Sequence, residues 1–222
     1  MDSYLSKDEL GNIHFKKIGE DVKISRSAVI YSPENIEIGE HVRIDDFVFL
    51  SGGCGIIIGN YVHIAAYSAL YGKFGIEIGD YVNISSRVSI YSTSDDYSGE
   101  FLTGPLVEQQ YINDIGRKVL IEQHVIIGTG SVLLPGTILH QGVAIGAMSL
   151  VKQELEAFKI YAGIPVAYIK ERSRNMLIFI HRGGGWGPHL EIFIFMIIYS
   201  LKDICACGKM RKYVAFGGIC NG

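Results

Sequence analysis

An aliphatic residue recurs every six positions between Val119 and Val151, and this period limits the chain's folding choices more than any other feature. Ile121, Ile127, Leu133, Leu139, Ile145 and Val151 carry the beat. Glycine follows at Gly128 and Gly146, and the position four after each aliphatic residue is small or β-branched: Val125, Ser131, Thr137, Val143 and Ser149. A period of six matches neither the 3.6 of a helix nor a two-residue alternation. It does match a coil of three short straight segments, each turning its first residue inward, which is the repeat of a parallel β-helix.

The same beat runs upstream through Ile18, Ile24 and Ile30, then Ile38, Ile44 and Leu50, then Ile58, Ile64 and Leu70, then Ile78, Ile84 and Ile90. Corresponding residues there are twenty apart, so each upstream coil is three hexads plus two residues at one corner. Gly52-Gly53-Cys54-Gly55 and Gly72-Lys73-Phe74-Gly75 mark those corners, where glycine permits backbone angles that other residues resist. The expectation is an all-β solenoid over residues 18–151. Its six coils would stand on the order of 29 Å tall at the usual strand spacing.

Residues 1–17 read as a cap. Ser6-Lys-Asp-Glu9 has the form of a capping box opening a short helix through about Leu10, which could plug the open first coil. After Ile90 the beat is lost until Ile121, so residues 91–118 leave the prism as a polar loop with turn signals at Gly99, Gly104 and Pro105. Long excursions from a rigid scaffold commonly carry function. Residues 152–175 read as a closing segment. Residues 176–222 show no hexad beat, and their apolar run from Leu190 to Leu201 is too short to span a bilayer. No function is assigned to that tail.

In 222 residues the net charge is −3, with Lys and Arg scattered, which gives no nucleic-acid footprint. The first ten residues contain acids and no apolar core of a signal peptide. Cys54, Cys205, Cys207 and Cys220 lack zinc or disulfide spacing, so no metal is expected and a reduced, cytoplasmic setting is the default.

These hexads resemble those of the hexapeptide-repeat acyltransferases. The match extends to the loop after Ile90, Gly128-Thr-Gly-Ser131-Val with Pro135-Gly136, Tyr161-Ala-Gly-Ile-Pro165 and Lys170-Glu-Arg172. The branch it most resembles holds galactoside and maltose acetyltransferases and the sugar O- and N-acetyltransferases of polysaccharide gene clusters. The resemblance implies a left-handed winding, although the usual crossover preference is right-handed. It further implies a homotrimer with sites at its interfaces, acetyl-CoA as donor, a short helix to about Arg174, and a sugar or nucleotide sugar as acceptor.

Acyl transfer to a hydroxyl needs a general base within hydrogen-bond reach and donors for the oxyanion. Galactoside-type relatives carry a loop histidine, where this chain has Asp95. Two repairs follow. His63 could be the base, oriented by Asp95 or Asp96 if the loop folds back; its plain alternative is a surface histidine on a coil face. Or the acceptor is an amine, which asks less of a base. Asp95 and Asp96 stay in the pocket either way, with Ser92, Ser94, Tyr97 and Asn83 as sugar contacts; otherwise they form a solvated turn. For the donor, the family pattern implies amide contacts at Gly128, Gly130, Ala147 and Ser149, residues that tight corners would also demand. Lys152, Lys170 and Arg172 are the candidate phosphate partners. The competing reading is a non-catalytic trimeric scaffold that binds no acetyl-CoA.

Overall fold

The computed structural model describes residues 3–181. Short parallel strands stack into three faces. The first holds Lys17–Ile18, Ile36–Ile38, Ile56–Ile58, Ile76–Ile78, Val119–Ile121, Ile138–Leu139 and Glu154–Leu155. The second holds Lys23–Ile24, Arg43–Ile44, His63–Ile64, Asn83–Ile84, Ile126–Ile127, Ala144–Ile145 and Lys159–Ala162, with Ala167–Glu171 added antiparallel. The third holds Val29–Tyr31, Phe49–Ser51, Ala69–Tyr71, Ser89–Tyr91, Val132–Leu133 and Leu150–Val151.

The beat residues become the interior. Ile44, Leu50, Ile64, Leu70, Ile84, Ile90, Ile121, Ile127, Leu133, Leu139 and Val151 all have no exposed surface. Each such burial contributes about 1.5–3 kcal/mol before the entropy of ordering is counted. Turning from the first face to the second puts one residue per tier in the left-handed region: His41, Tyr61, Tyr81 and His124 have φ of 56°, 57°, 57° and 63°. Their rings stack, with centroids 4.7, 4.8 and 5.2 Å apart. That interval is the strand spacing itself, so each ring covers the next where the backbone is least comfortable.

Ser6 and Glu9 close a reciprocal capping box on the helix Lys7–Gly11. Arg26 forks onto the Glu9 carboxylate at 2.6 and 2.7 Å. Leu10 joins the core, and Leu5, Ile13 and Phe15 pack against it.

Two expectations are corrected. The first face has seven tiers rather than six, because Glu154–Leu155 and Lys159–Ala162 continue the stack beyond Val151. The closing segment is a strand rather than a helix to Arg174. Lys159–Ala162 would otherwise be a bare edge with unpaired backbone groups, and the chain turns at Gly163-Ile164-Pro165 so that Ala167–Glu171 pairs with it. A helix, Met176–His181, comes only afterwards, in a second compact unit that begins at Met176. The apolar run from Leu190 to Leu201 and three of the four cysteines lie outside the described residues.

Candidate active site

On the second face one outward side chain per tier forms a column, in register as Lys23, Arg43, His63, Asn83, Ile126 and Ala144. It is polar through the fourth tier and apolar above. The residue after each inward isoleucine forms a second column: Ser25, Asp45, Ala65, Ser85, Gly128 and Gly146. Asp45 is the one charged member. Its Oδ2 meets His63 Nε2 at 2.8 Å, and its Oδ1 accepts from Arg43 Nε at 2.7 Å. Burial alone would raise the Asp45 carboxyl, but the bonds from His63 and Arg43 outweigh it and hold the group below the usual carboxylate range. A cavity of about 120 Å³ opens beside it, lined by Ser25, Arg43, Asp45, Asp46 and Ala66. His63 and Asn83, both candidates, are brought together here as register partners.

The loop leaves the prism between the third and first faces, after Ser89–Tyr91 and before Val119–Ile121. A short antiparallel pair, Thr93–Ser94 with Ile115–Gly116, closes its neck. Lys73–Asp114 and Lys118–Glu77 ion pairs pin its return. The exit corner is the one opposite the second face, where His63 stands. Within one chain His63 therefore has Asp45, and not Asp95 or Asp96, as its carboxylate partner. This corrects the expected fold-back.

Within the loop the candidates divide. Asp96 is nearly buried and turned inward: it accepts from the Ser98 amide at 2.6 Å and from Asn113 Nδ2 at 2.9 Å. Those bonds, Ser98's first, hold its carboxyl below the usual range. Asp95 is exposed, as is Tyr97 at 91%. Ser94 Oγ donates to the Asp95 carbonyl at 3.2 Å. Ser92 is fully buried, donating to the Tyr71 carbonyl at 2.8 Å and accepting from the Phe74 amide at 2.9 Å. Its hydroxyl holds the corner and cannot touch a sugar, which corrects its expected role.

In the late tiers, three of the four expected amide donors are already engaged. Gly128 N donates to the Ile145 carbonyl, Gly130 N to the Ser86 carbonyl and Ser149 N to Ser131 Oγ. The Ala147 amide has no acceptor among the described residues. The Ser149 hydroxyl, almost fully buried, bonds the Gly146 carbonyl at 2.8 Å and the Gly163 amide at 3.1 Å. Lys152 and Lys170 are exposed. Arg172 turns inward instead, where Nη1 donates to the carbonyls of His124, Gly142 and Val143. Burial pushes its guanidinium down to about 10. Its Nη1 is thus spent on backbone carbonyls, a structural use beside the phosphate role expected of it.

No protein-family model matches the chain. It is 51% identical over 176 residues to an Escherichia coli dTDP-4-amino-4,6-dideoxy-D-glucose acyltransferase, covering 79% of this chain and 92% of that protein. The chain belongs to the hexapeptide-repeat sugar acyltransferases. AntD, an N-acyltransferase of Bacillus cereus solved with dTDP and 3-hydroxybutyryl-CoA, is 48% identical with a TM-score of 0.79, over 82% of this chain and 96% of that one. A hexapeptide-repeat acetyltransferase of Vibrio cholerae solved with acetyl coenzyme A is 19% identical over 76% of this chain and 79% of its own, and its TM-score of 0.54 supports the fold alone. The prism is a parallel β-helix of stacked coils, the fold shared with these relatives.

This acyltransferase holds, among its described residues, no cluster of side chains able to bind a metal ion. No described helix is long and apolar enough to cross a membrane. Sequence reasoning missed Asp45 and Arg43 as partners of His63. The signal was present: aligned at the twenty-residue repeat, Asp45 stands where every other tier has Ser, Ala or Gly.

Proposed function

We propose that this acyltransferase moves an acyl group from a coenzyme A thioester to the amine of dTDP-4-amino-4,6-dideoxyglucose or a close analogue. The carrying observation is the 51% identity to an acyltransferase of that nucleotide sugar, across nearly all of its length. The absence of any histidine from residues 91–118 supports an amine acceptor, since an amine demands less of a base than a hydroxyl.

In this reading the amine nitrogen attacks the thioester carbon and His63 takes its proton. The new C–N bond forms, the C–S bond breaks, and the departing thiolate recovers the proton. Asn83, the half-buried Ser94 and the exposed loop groups Asp95 and Tyr97 contact the acceptor, while Asp96 keeps the loop in shape. The Ala147 amide receives the pantetheine arm; Gly128, Gly130 and Ser149 shape the corners it follows. Lys152 and Lys170 meet the CoA phosphates.

We further propose a homotrimer. The loop and His63 lie at opposite sides of one prism, so a neighbouring copy must supply one of them. None of the ion pairs among the described residues touches the third face. That face exposes Val29 and Tyr31 and carries Phe49, Tyr71 and Tyr91, which suits contact with another copy. Light scattering tests the assembly, and a monomer in solution would refute it. A nucleotide-sugar acceptor makes the setting cytoplasmic, in supply of lipopolysaccharide or capsule.

The deciding experiment follows free thiol from acetyl-CoA and 3-hydroxybutyryl-CoA with the amino sugar nucleotide and its hydroxyl analogue. Release with the amine and not the hydroxyl supports the reading. Equal release with the hydroxyl, or none with either, overturns it.

A further inference from the structure

We infer that Asp45 is a positioning residue for the acyl transfer, fixing which ring nitrogen of His63 faces the acceptor. The inference rests on the reading of His63 as proton acceptor, but its evidence is separate and geometric. A carboxylate can only accept hydrogen bonds. With Asp45 Oδ2 at 2.8 Å from His63 Nε2, the hydrogen must sit on Nε2, and the neutral ring keeps its lone pair on Nδ1. A free imidazole would share its hydrogen between both nitrogens; this one is committed.

The carboxylate is itself held. Arg43 Nε donates to the other oxygen at 2.7 Å, so Asp45 cannot swing away without breaking two charge-assisted bonds. Side chains of Asp45 and His63 are 16% and 22% exposed, which shields the pair from competing water. The neighbours stay out of the way. Ala65, one tier above Asp45 in its column, offers no polar group, and Ser25, one tier below, donates to Asp46 instead. Arg43, Asp45 and His63 thus form one chain of contacts across two tiers. It ends in a single acceptor nitrogen on the polar half of the second face.

The chemistry gives this arrangement a use. As the amine attacks, its proton passes to Nδ1 and the ring becomes positive. Asp45 then stabilises the imidazolium while the C–S bond breaks. The thiolate takes the proton back, and His63 returns neutral with the same tautomer, ready for another turnover. The arrangement is the base-and-orienter logic known from nucleophilic triads, where loss of the orienter leaves the wrong tautomer and slows chemistry more than binding.

The test uses the full-length enzyme with His63→Gln and Asp45→Asn, measuring kcat, KM for both substrates, and the ring ¹⁵N signals of His63. His63→Gln is expected to lose at least about 100-fold in kcat. Asp45→Asn is expected to lose about 10- to 100-fold in kcat with KM changed by no more than about twofold. Its His63 signals should move from one Nε2–H tautomer to a mixture. If Asp45→Asn keeps its kcat while His63→Gln does not, the inference is overturned and the reading of His63 stands. If Asp45→Asn loses kcat with its tautomer unchanged and its melting temperature lowered, the role is structural and the inference is again overturned. If His63→Gln keeps its activity, the reading of His63 itself falls.

Discussion

Arg172 Nη1 donates to the carbonyl oxygen of His124 at 2.8 Å, joining the closing strand to a residue four dozen positions earlier in the chain. Further bonds reach Gly142 at 3.0 Å and Val143 at 3.2 Å. The same guanidinium helps keep His124 neutral: burial first, then the Arg172 charge, lowers the His124 pKa. Replacing Arg172 with Met is expected to cost about 2–4 kcal/mol, because buried carbonyls lose their donor. Thermal unfolding should show the loss while acetyl-CoA affinity holds. A weaker affinity with an unchanged melting temperature would make Arg172 a ligand residue after all.

His140 is clasped between Glu154 at 2.6 Å and Glu122 at 2.9 Å. The Glu154 bond, then the Glu122 bond, raise its pKa above the ordinary histidine value. A group raised in the folded state stabilises fully below its unfolded pKa, near 6.5. That contribution fades as pH climbs through the folded value. Melting temperature is therefore expected to fall modestly as pH rises above about 6.5, and His140→Gln should flatten that slope. An identical slope in the variant would assign the dependence elsewhere.

Gly128 lies against the tier above so closely that an added Cβ would stand 2.5 Å from the Ala147 nitrogen. The obstacle is backbone and cannot rotate aside. Gly128→Ala is expected to cost about 1–3 kcal/mol, read as a lower denaturant midpoint. Gly11 has nothing within 4 Å of that position and serves as the control.

The Asp96 carboxylate ties Ser98 to Asn113 across the loop. Asp96→Ala is expected to speed protease cleavage within residues 91–118 several-fold while leaving the prism's melting temperature in place. In the native chain the tie weakens in acid, since a lowered carboxyl contributes above its unfolded pKa and is lost as pH falls through the folded one. Cleavage rates across an acidic series would show it, and a rate unmoved by Asp96→Ala would refute the role.

The prism was legible because its interior is written once per hexad, and residues such as Ile64 and Leu139 have no second way to be buried. The loop's limits were legible as a gap in that beat. Partnership across tiers was harder. His63 and Asp45 are eighteen positions apart and meet only when coils are stacked in register, so local reading looked to Asp95 and Asp96 instead. Ser92 looked like a surface hydroxyl in a polar run, yet the corner needs its hydroxyl to satisfy the Phe74 amide and the Tyr71 carbonyl. The strand Ala167–Glu171 was missed for a different reason. Its pairing depends on the edge left by Lys159–Ala162, and its own residues, all exposed, carry no inward beat.

Ile76 pairs with Ile56 on one side and, across the whole excursion, with Val119 on the other. The stack closes over the loop as if the loop were not there. Residues 91–118 can therefore change in length or sequence as an exchangeable cassette while the stacked column beneath them keeps its register.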